Sequence, residues 1–271
     1  MQASSTWLPP GGTLGRILEE TRRRVTSIEG GLTGIEAGSV ADRPGLAASL
    51  RGDRVAVIGE VKRKSPSKGV LKGDLNPATQ SAAMERGGAS AISVLTEPSF
   101  FAGSLDDLAV VRAAVRLPIL RKDFHIDPLQ LVEARRASAT AVLLIARALA
   151  QPQLLKLMEF AARLGLETIV EVRTEDELER AVAAKAGIIG VNSRDLETLE
   201  VDETVPERLM PLIPRECVGV WESGVHDADA VRRAAACGAD AVLVGSALSK
   251  AANPEHLMRE LASVQRVGRR G

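Results

Sequence analysis

Several acids and amines stand where they could move protons. In GEVKRKSPSKG (59–69), Glu60 and Lys62 are two residues apart, directly behind the apolar run Val55 to Ile58. Residues two apart share one face of a strand, so an inward face there would carry an acid beside an amine. Lys122 lies near the end of PILRKDF (118–124), and Glu171 lies within TIVEV (168–172). Asn192 and Arg194 end IIGVNSR (188–194), and Glu222 closes an apolar run just before Ser223 and Gly224. A buried lysine can form a Schiff base with a carbonyl or serve as a general acid with a lowered pKa. Both Lys62 and Lys122 qualify by position. Ser223-Gly224 and Gly245-Ser246 add small residues whose backbone N–H groups can approach a phosphate closely.

The elements that must position these groups recur regularly. Apolar runs at 55–61, 91–96, 118–124, 141–146, 168–172, 188–194, 218–223 and 241–246 begin 20 to 36 residues apart. Between them, 106–114, 128–137, 152–164, 175–184 and 227–236 carry helical periodicity. Thr174 and Asp227 are placed as N-caps. Near-continuous apolar strands alternating with helices predict a parallel sheet covered by helices. Eight such units, with no GxGxxG after the first, predict an α/β fold closed as one (β/α)8 barrel. We expect residues 1–50 to form an N-terminal helical extension packing on a barrel of residues 51–271. In such barrels the chemistry sits at the C-terminal ends of the strands. Those ends carry Glu60/Lys62, Thr96-Glu97, Arg121-Lys122-Asp123, Glu171, Asn192/Arg194, Glu222-Ser223-Gly224 and Gly245-Ser246. Only the fourth ends blandly, at Ile145-Ala146.

Composition narrows the function. Thirty-five Lys and Arg balance 35 Asp and Glu over 271 residues, so no global field draws the chain to nucleic acid or a membrane. No apolar run reaches the roughly 18 residues of a membrane span, and residues 1–12 do not resemble a signal peptide. Cys217 and Cys237 lack metal-site spacing, and there are only three histidines and no tyrosine. His125 reads as a loop residue, His226 and His256 as surface residues. A reduced cytoplasmic protein without a zinc or histidine-centred metal site is expected, as a monomer with a homodimer as the alternative.

The stretches EVKRKSPSKG, ISVLTEPSFFAGSLDDL, ILRKDFHIDPLQLVEAR, AVLLI, VEVRTEDELERA, GVNSRDLETLEVD and ESGV…GADAVLVGSAL run in this order between residues 55 and 248. They resemble the indole-3-glycerol-phosphate synthase family of tryptophan biosynthesis, and TLGRILEETRRRV resembles the helix preceding its barrel. KRKSPSKG and LRKDF carry most of the specificity. The resemblance implies a phosphorylated small-molecule substrate, 1-(2-carboxyphenylamino)-1-deoxyribulose 5-phosphate, whose ring closure releases CO2 and water, with no metal or organic cofactor. It implies Lys122 as general acid and Glu171 as general base, with Glu60 and Lys62 orienting substrate and assisting proton transfer. Asn192 and Glu222 would support these groups or contact substrate hydroxyls. Lys62, Ser223, Gly224, Gly245 and Ser246 match phosphate and carboxylate contacts. Phe124 and Arg194 join the binding set, and Lys64 and Ser65 would reach the substrate carboxylate or sugar. Lys68 is assigned to solvent and Arg63 to the opposite strand face. Which lysine acts in which step stays open.

Two positions depart from the family pattern. Trp221 stands where a small residue is usual, and should point out towards the helices. ASATAVLLI replaces the usual Gly-Ala-Asp lead-in to the fourth strand. Rival readings are another phosphate-binding barrel, such as phosphoribosylanthranilate isomerase, a Schiff-base aldolase, or a non-enzymatic barrel kept for binding. The isomerase does not explain two mouth lysines with KRKSPSKG, and a binding module would not retain Lys122, Glu171 and Glu60. The length leads us to expect a free-standing enzyme.

Overall fold

The computed structural model describes residues 8–28 and 44–268. Eight runs rich in Val, Ile, Leu and Ala form the barrel strands: β1 (Ala56–Val61), β2 (Ala91–Leu95), β3 (Ile119–Lys122), β4 (Ala141–Ile145), β5 (Glu167–Val172), β6 (Ile188–Asn192), β7 (Val218–Glu222) and β8 (Ala241–Val244). All pairs are parallel, and the sheet closes in the order β1-β8-β7-β6-β5-β4-β3-β2 with β2 returning to β1. This is the expected TIM barrel. The third and sixth runs stop short of their expected ends for a local reason. Phe124 N–H donates to Asp123 Oδ1 at 2.8 Å, and Arg194 N–H to Asn192 Oδ1 at 2.9 Å. Side chains thus take up donors that a longer ladder would use.

Most helices fall where periodicity placed them, including Leu105–Ala114, Pro128–Arg136, Gln151–Arg163, Glu175–Ala183 and Ala228–Ala236. Thr174 and Asp227 cap as expected, accepting from Glu177 N–H and Ala230 N–H. Periodicity missed Pro77–Arg86, Thr204–Leu209, Ser246–Lys250 and Pro254–Leu261. Three of these are eight residues or fewer, with too few turns for a pattern to stand out. The first βα connection is not plain loop, because Lys64–Ser65 pairs antiparallel with Gly69–Val70.

Ahead of the barrel, helices Gly12–Thr26 and Leu46–Ser49 form within the expected extension; its remaining residues, 1–7 and 29–43, lie outside the described ones. Leu14, Ile17 and Leu18 of the first helix are buried in the common core. Thr13 N–H donates to Glu197 O at 3.0 Å, and Arg24 Nη2 to Asp123 Oδ1 at 2.6 Å. That aspartate belongs to a buried network behind β3. Arg121, 1% exposed, points out of the barrel rather than into its mouth. Its guanidinium donates to Thr96 Oγ1, Gln130 O, Asp123 Oδ2 and Glu133 Oε2 at 2.8–3.0 Å. Burial alone would raise the Asp123 carboxyl, but Arg121 and Arg24 outweigh it and hold it well below the usual carboxylate range.

His125 lies in the loop after β3, as expected, and is buried there with Nδ1 2.8 Å from Leu143 O. Burial, reinforced by Arg121, depresses its imidazole to about 3. The unfolded chain holds that proton up to about pH 6.5. Between those values unfolding takes up a proton, so the contribution of His125 to stability is complete above about pH 6.5 and declines as pH falls. His125→Gln should therefore show a smaller drop in urea midpoint between about pH 7 and pH 5 than the parent protein. Equal drops in the two proteins would refute this assignment.

Candidate active site

The C-terminal ends of the strands bring an ammonium and three carboxylates together. Lys122 Nζ lies 3.4 Å from Glu171 Oε2 and 3.3 Å from Glu222 Oε2. Glu171 also accepts from Asn192 Nδ2 at 3.0 Å through its other oxygen. Across the mouth, Lys62 Nζ pairs with Glu60 Oε1 at 2.5 Å. The side chains of Glu60, Glu171 and Glu222 are 1–3% exposed, and those of Lys62 and Lys122 about 15%.

Burial would lower the Lys122 ammonium, yet the fields of Glu222, Glu171 and Glu60 outweigh it, and its pKa is raised. Glu222 is pushed up, first by burial and then by its like-charged neighbours Glu171 and Glu60, with Lys122 opposing. Three carboxylates facing two ammonium groups leave one negative charge in excess. A proton on Glu222 removes it.

Two glycines make this crowding feasible. A Cβ on Gly190 would lie 2.2 Å from Glu222 Oε1, and one on Gly245 would lie 2.2 Å from Glu60 Oε1 and 2.8 Å from Lys62 Nζ. Only the missing side chain admits the charged groups at these points. Above them opens a cavity of about 270 Å³. One wall is apolar, built from Ile17, Leu95, Phe101, Phe124, Leu143 and Ile145. Phe101 and Phe124 lie 6.0 Å apart between centroids.

The cavity is also lined by Lys68, Arg194 and Lys250, none of which forms an ion pair among the described residues. Partial burial and then Arg194, Lys250 and Lys62 push the Lys68 ammonium down. Ser223, Gly224, Gly245 and Ser246 also line the cavity. Ser223 has φ 64°, a left-handed conformation that costs a non-glycine residue about 1 kcal/mol.

Glu60, Lys62, Ser65, Lys122, Phe124, Glu171, Asn192, Arg194, Glu222, Ser223, Gly224, Gly245 and Ser246 are all brought to this one cavity. Lys64 is not. Its neighbour Ser65 takes the inward side of the two-residue ribbon, so Lys64 turns away and donates to Ser99 O at 3.4 Å. Lys68, assigned to solvent from sequence, reaches the cavity rim instead because the ribbon folds back at Gly69.

The end of β2 contributes no polar group to the mouth. Glu97 caps the helix Pro98–Phe101, accepting from Ser99, Phe100 and Phe101 N–H, and Thr96 donates to Asp123. Arg63 faces outward as expected and pairs with Asp107. Lys250 and the N-terminal Ile17 gave no local signal in the sequence, since only closure of the fold brings them to the mouth. Among the described residues, no group of three or more His, Cys, Asp or Glu is placed to hold a metal.

The family model for indole-3-glycerol phosphate synthase matches residues 14–261. The chain belongs to that family. The indole-3-glycerol phosphate synthase of Mycolicibacterium vanbaalenii is 45% identical over 254 residues, covering 92% of this chain and 93% of the relative. A Streptomyces coelicolor family member, indole-3-glycerol phosphate synthase 1, is 52% identical over 216 residues, 80% of each chain. Among solved structures, thiamine phosphate pyrophosphorylase from Pyrococcus furiosus superposes with a TM-score of 0.58 at 17% identity, covering 78% of this chain and 95% of that one. That likeness concerns the barrel fold alone.

Because Glu171 raises both the Lys122 and the Glu222 pKa, Glu171→Gln should lower both. NMR titration of the Lys122 Nζ and Glu222 carboxyl resonances reads this directly. Values unchanged from the parent protein would mean that the three groups are not electrostatically coupled.

Proposed function

We propose that the chain closes the indole ring of 1-(2-carboxyphenylamino)-1-deoxyribulose 5-phosphate, giving indole-3-glycerol phosphate, CO2 and water. The observation that carries this is the Lys122 ammonium, kept charged by Glu171, Glu222 and Glu60 between an apolar wall and a cationic rim. The aromatic ring lies against Phe124, Phe101 and their apolar neighbours. The phosphate lies along Ser223, Gly224, Gly245 and Ser246, and Lys68, Arg194 and Lys250 neutralise the substrate's anionic groups.

Lys122 donates its proton to the ketone oxygen as the carboxylate-bearing ring carbon attacks the ketone carbon. The new carbon–carbon bond draws electrons from the ring. Loss of CO2 returns the electrons of the broken carbon–carboxylate bond and restores aromaticity. Glu171 then removes a proton from the carbon beside the nitrogen, while the hydroxyl departs as water with a proton from a lysine. Asn192 holds the Glu171 carboxylate in place, and Glu60 holds Lys62. The loose 3.3–3.4 Å contacts around Lys122 suit a group that must exchange partners when the ketone enters.

The same proposal treats residues 1–50 as an extension of a barrel spanning 51–271, and the enzyme as a cytoplasmic monomer. The burial of Leu14, Ile17 and Leu18 against the barrel supports the first part. Exposed large apolar side chains such as Val110, Leu155 and Leu212 stand on different outer segments, which supports the monomer.

Purified protein given the carboxyphenylamino-deoxyribulose phosphate should develop indole fluorescence; no signal would overturn the assignment. Lys122→Ala and Glu171→Gln should each cut kcat by roughly 10²–10⁴. Loss of one charged contact to the substrate is worth about 1.5–3 kcal/mol. Lys68→Ala should accordingly raise KM by roughly tenfold or more, with the loss falling on KM rather than kcat, whereas Lys64→Ala should match the parent enzyme. The reverse order for the two lysines would contradict the geometry of the ribbon.

A further inference from the structure

We propose that Trp221 is a positioning residue for phosphate, acting through the peptide that joins Ser223 to Gly224. This inference rests on the phosphate lying along that loop. Strand alternation puts Glu222 inside the barrel and Trp221 outside, where the indole is 1% exposed. From there Trp221 Nε1–H donates to Ser223 O at 3.2 Å.

A trans peptide is planar, so its C=O and N–H point in opposite directions. Holding Ser223 O towards the outer layer therefore turns Gly224 N–H towards the cavity, which both residues line. Backbone N–H groups turned into a concavity in this way bind anions. The loop needs an external hold, because Ser223, a non-glycine residue, stands in the left-handed region at φ 64°.

The other donor near that carbonyl is divided. Ser193 Oγ lies 3.1 Å from Glu222 O and 3.3 Å from Ser223 O, and its single proton cannot serve both at once. Among the described residues, Ser223 O is the one acceptor of the Trp221 N–H. The indole is itself braced from outside. The Arg233 guanidinium lies 5.9 Å from its ring centroid, and Arg233 pairs with Glu203. Glu203 in turn packs under Gly224, where a Cβ would lie 3.0 Å from its Oε1. Outer helix, indole and loop form one chain of contacts ending at the phosphate site.

Trp221→Phe keeps an aromatic ring and removes the donor. Inorganic phosphate, used as a competitive inhibitor, should then bind about fivefold more weakly, as expected for one lost neutral hydrogen bond. KM for the phosphorylated substrate should rise by a similar factor, with the loss on KM rather than kcat. A purely structural indole would lower the melting temperature and leave phosphate affinity unchanged; that result overturns the inference while the phosphate site stands.

The second measurement needs no change at Trp221. In a Trp7→Phe background Trp221 is the remaining tryptophan, and titration with inorganic phosphate should shift its emission. Calorimetric phosphate binding without any emission change would also overturn the proposal. If the parent protein takes up no inorganic phosphate by calorimetry and shows no inhibition, the phosphate reading of the loop fails, and this inference with it.

Discussion

An ammonium enclosed by protein keeps its charge only where carboxylates surround it, and the architecture of this chain answers to that constraint at Lys122. Burial works against the cation, and Glu222, Glu171 and Glu60 reverse the outcome. These three acids arrive from β7, β5 and β1, so no local segment could assemble them. The barrel does so because its strand ends converge on one mouth. The same constraint dictates where side chains must be missing. Gly190 and Gly245 leave the space that Glu222 and Glu60 occupy, and a methyl group at either place would force a charged oxygen aside.

Strand alternation then ties the mouth to the outer layer. Beside Lys122 on β3, Arg121 points the other way and gathers Thr96, Gln130, Asp123 and Glu133 into a buried network. Asp123 in turn receives Arg24 from the N-terminal helix, whose Ile17 reaches the cavity wall. Beside Glu222 on β7, Trp221 points out and bonds the loop that follows. Lys122 and Glu222 thus each have a neighbour in sequence that anchors the opposite face of the strand. Removing such an anchor leaves buried polar groups without partners, which costs far more than a surface contact would.

The strands and most helices were legible because their signals are local. Runs of Val, Ile and Leu at a steady interval need no knowledge of distant residues. Glu60, Lys62, Lys122, Glu171 and Glu222 were legible for a related reason, since an ionisable residue at the end of an apolar strand is conspicuous. The misreadings share a different cause. Lys64 and Lys68 exchanged roles because a two-residue ribbon at Ser65 and Gly69 folds the first connection back, and no periodicity marks so short a pairing. Glu97 looked like a mouth residue until its carboxylate proved to cap the next helix. His125 does lie in a loop, but its burial was not legible, because its partner Leu143 O comes from β4, 18 residues away. Lys250 and Ile17 enter the site only when the barrel closes and the N-terminal helix docks.

The two sets of cations in the mouth differ in a way that sorts their tasks. Lys62 and Lys122 are already paired with carboxylates, whereas Lys68, Arg194 and Lys250 form no ion pair among the described residues. An anionic ligand gains most from cations with no carboxylate to displace. A phosphate of nearly two negative charges and a carboxylate together would balance the unpaired rim. The paired lysines are then free of the binding task and can exchange a carboxylate for a ketone oxygen. Their charge matters for the proton it carries, not for holding the substrate. Glu222 completes the division. Because burial and like charges drive it towards its protonated form, the cluster stays close to neutral without the ligand, and the rim remains the part of the cavity with charge to spare.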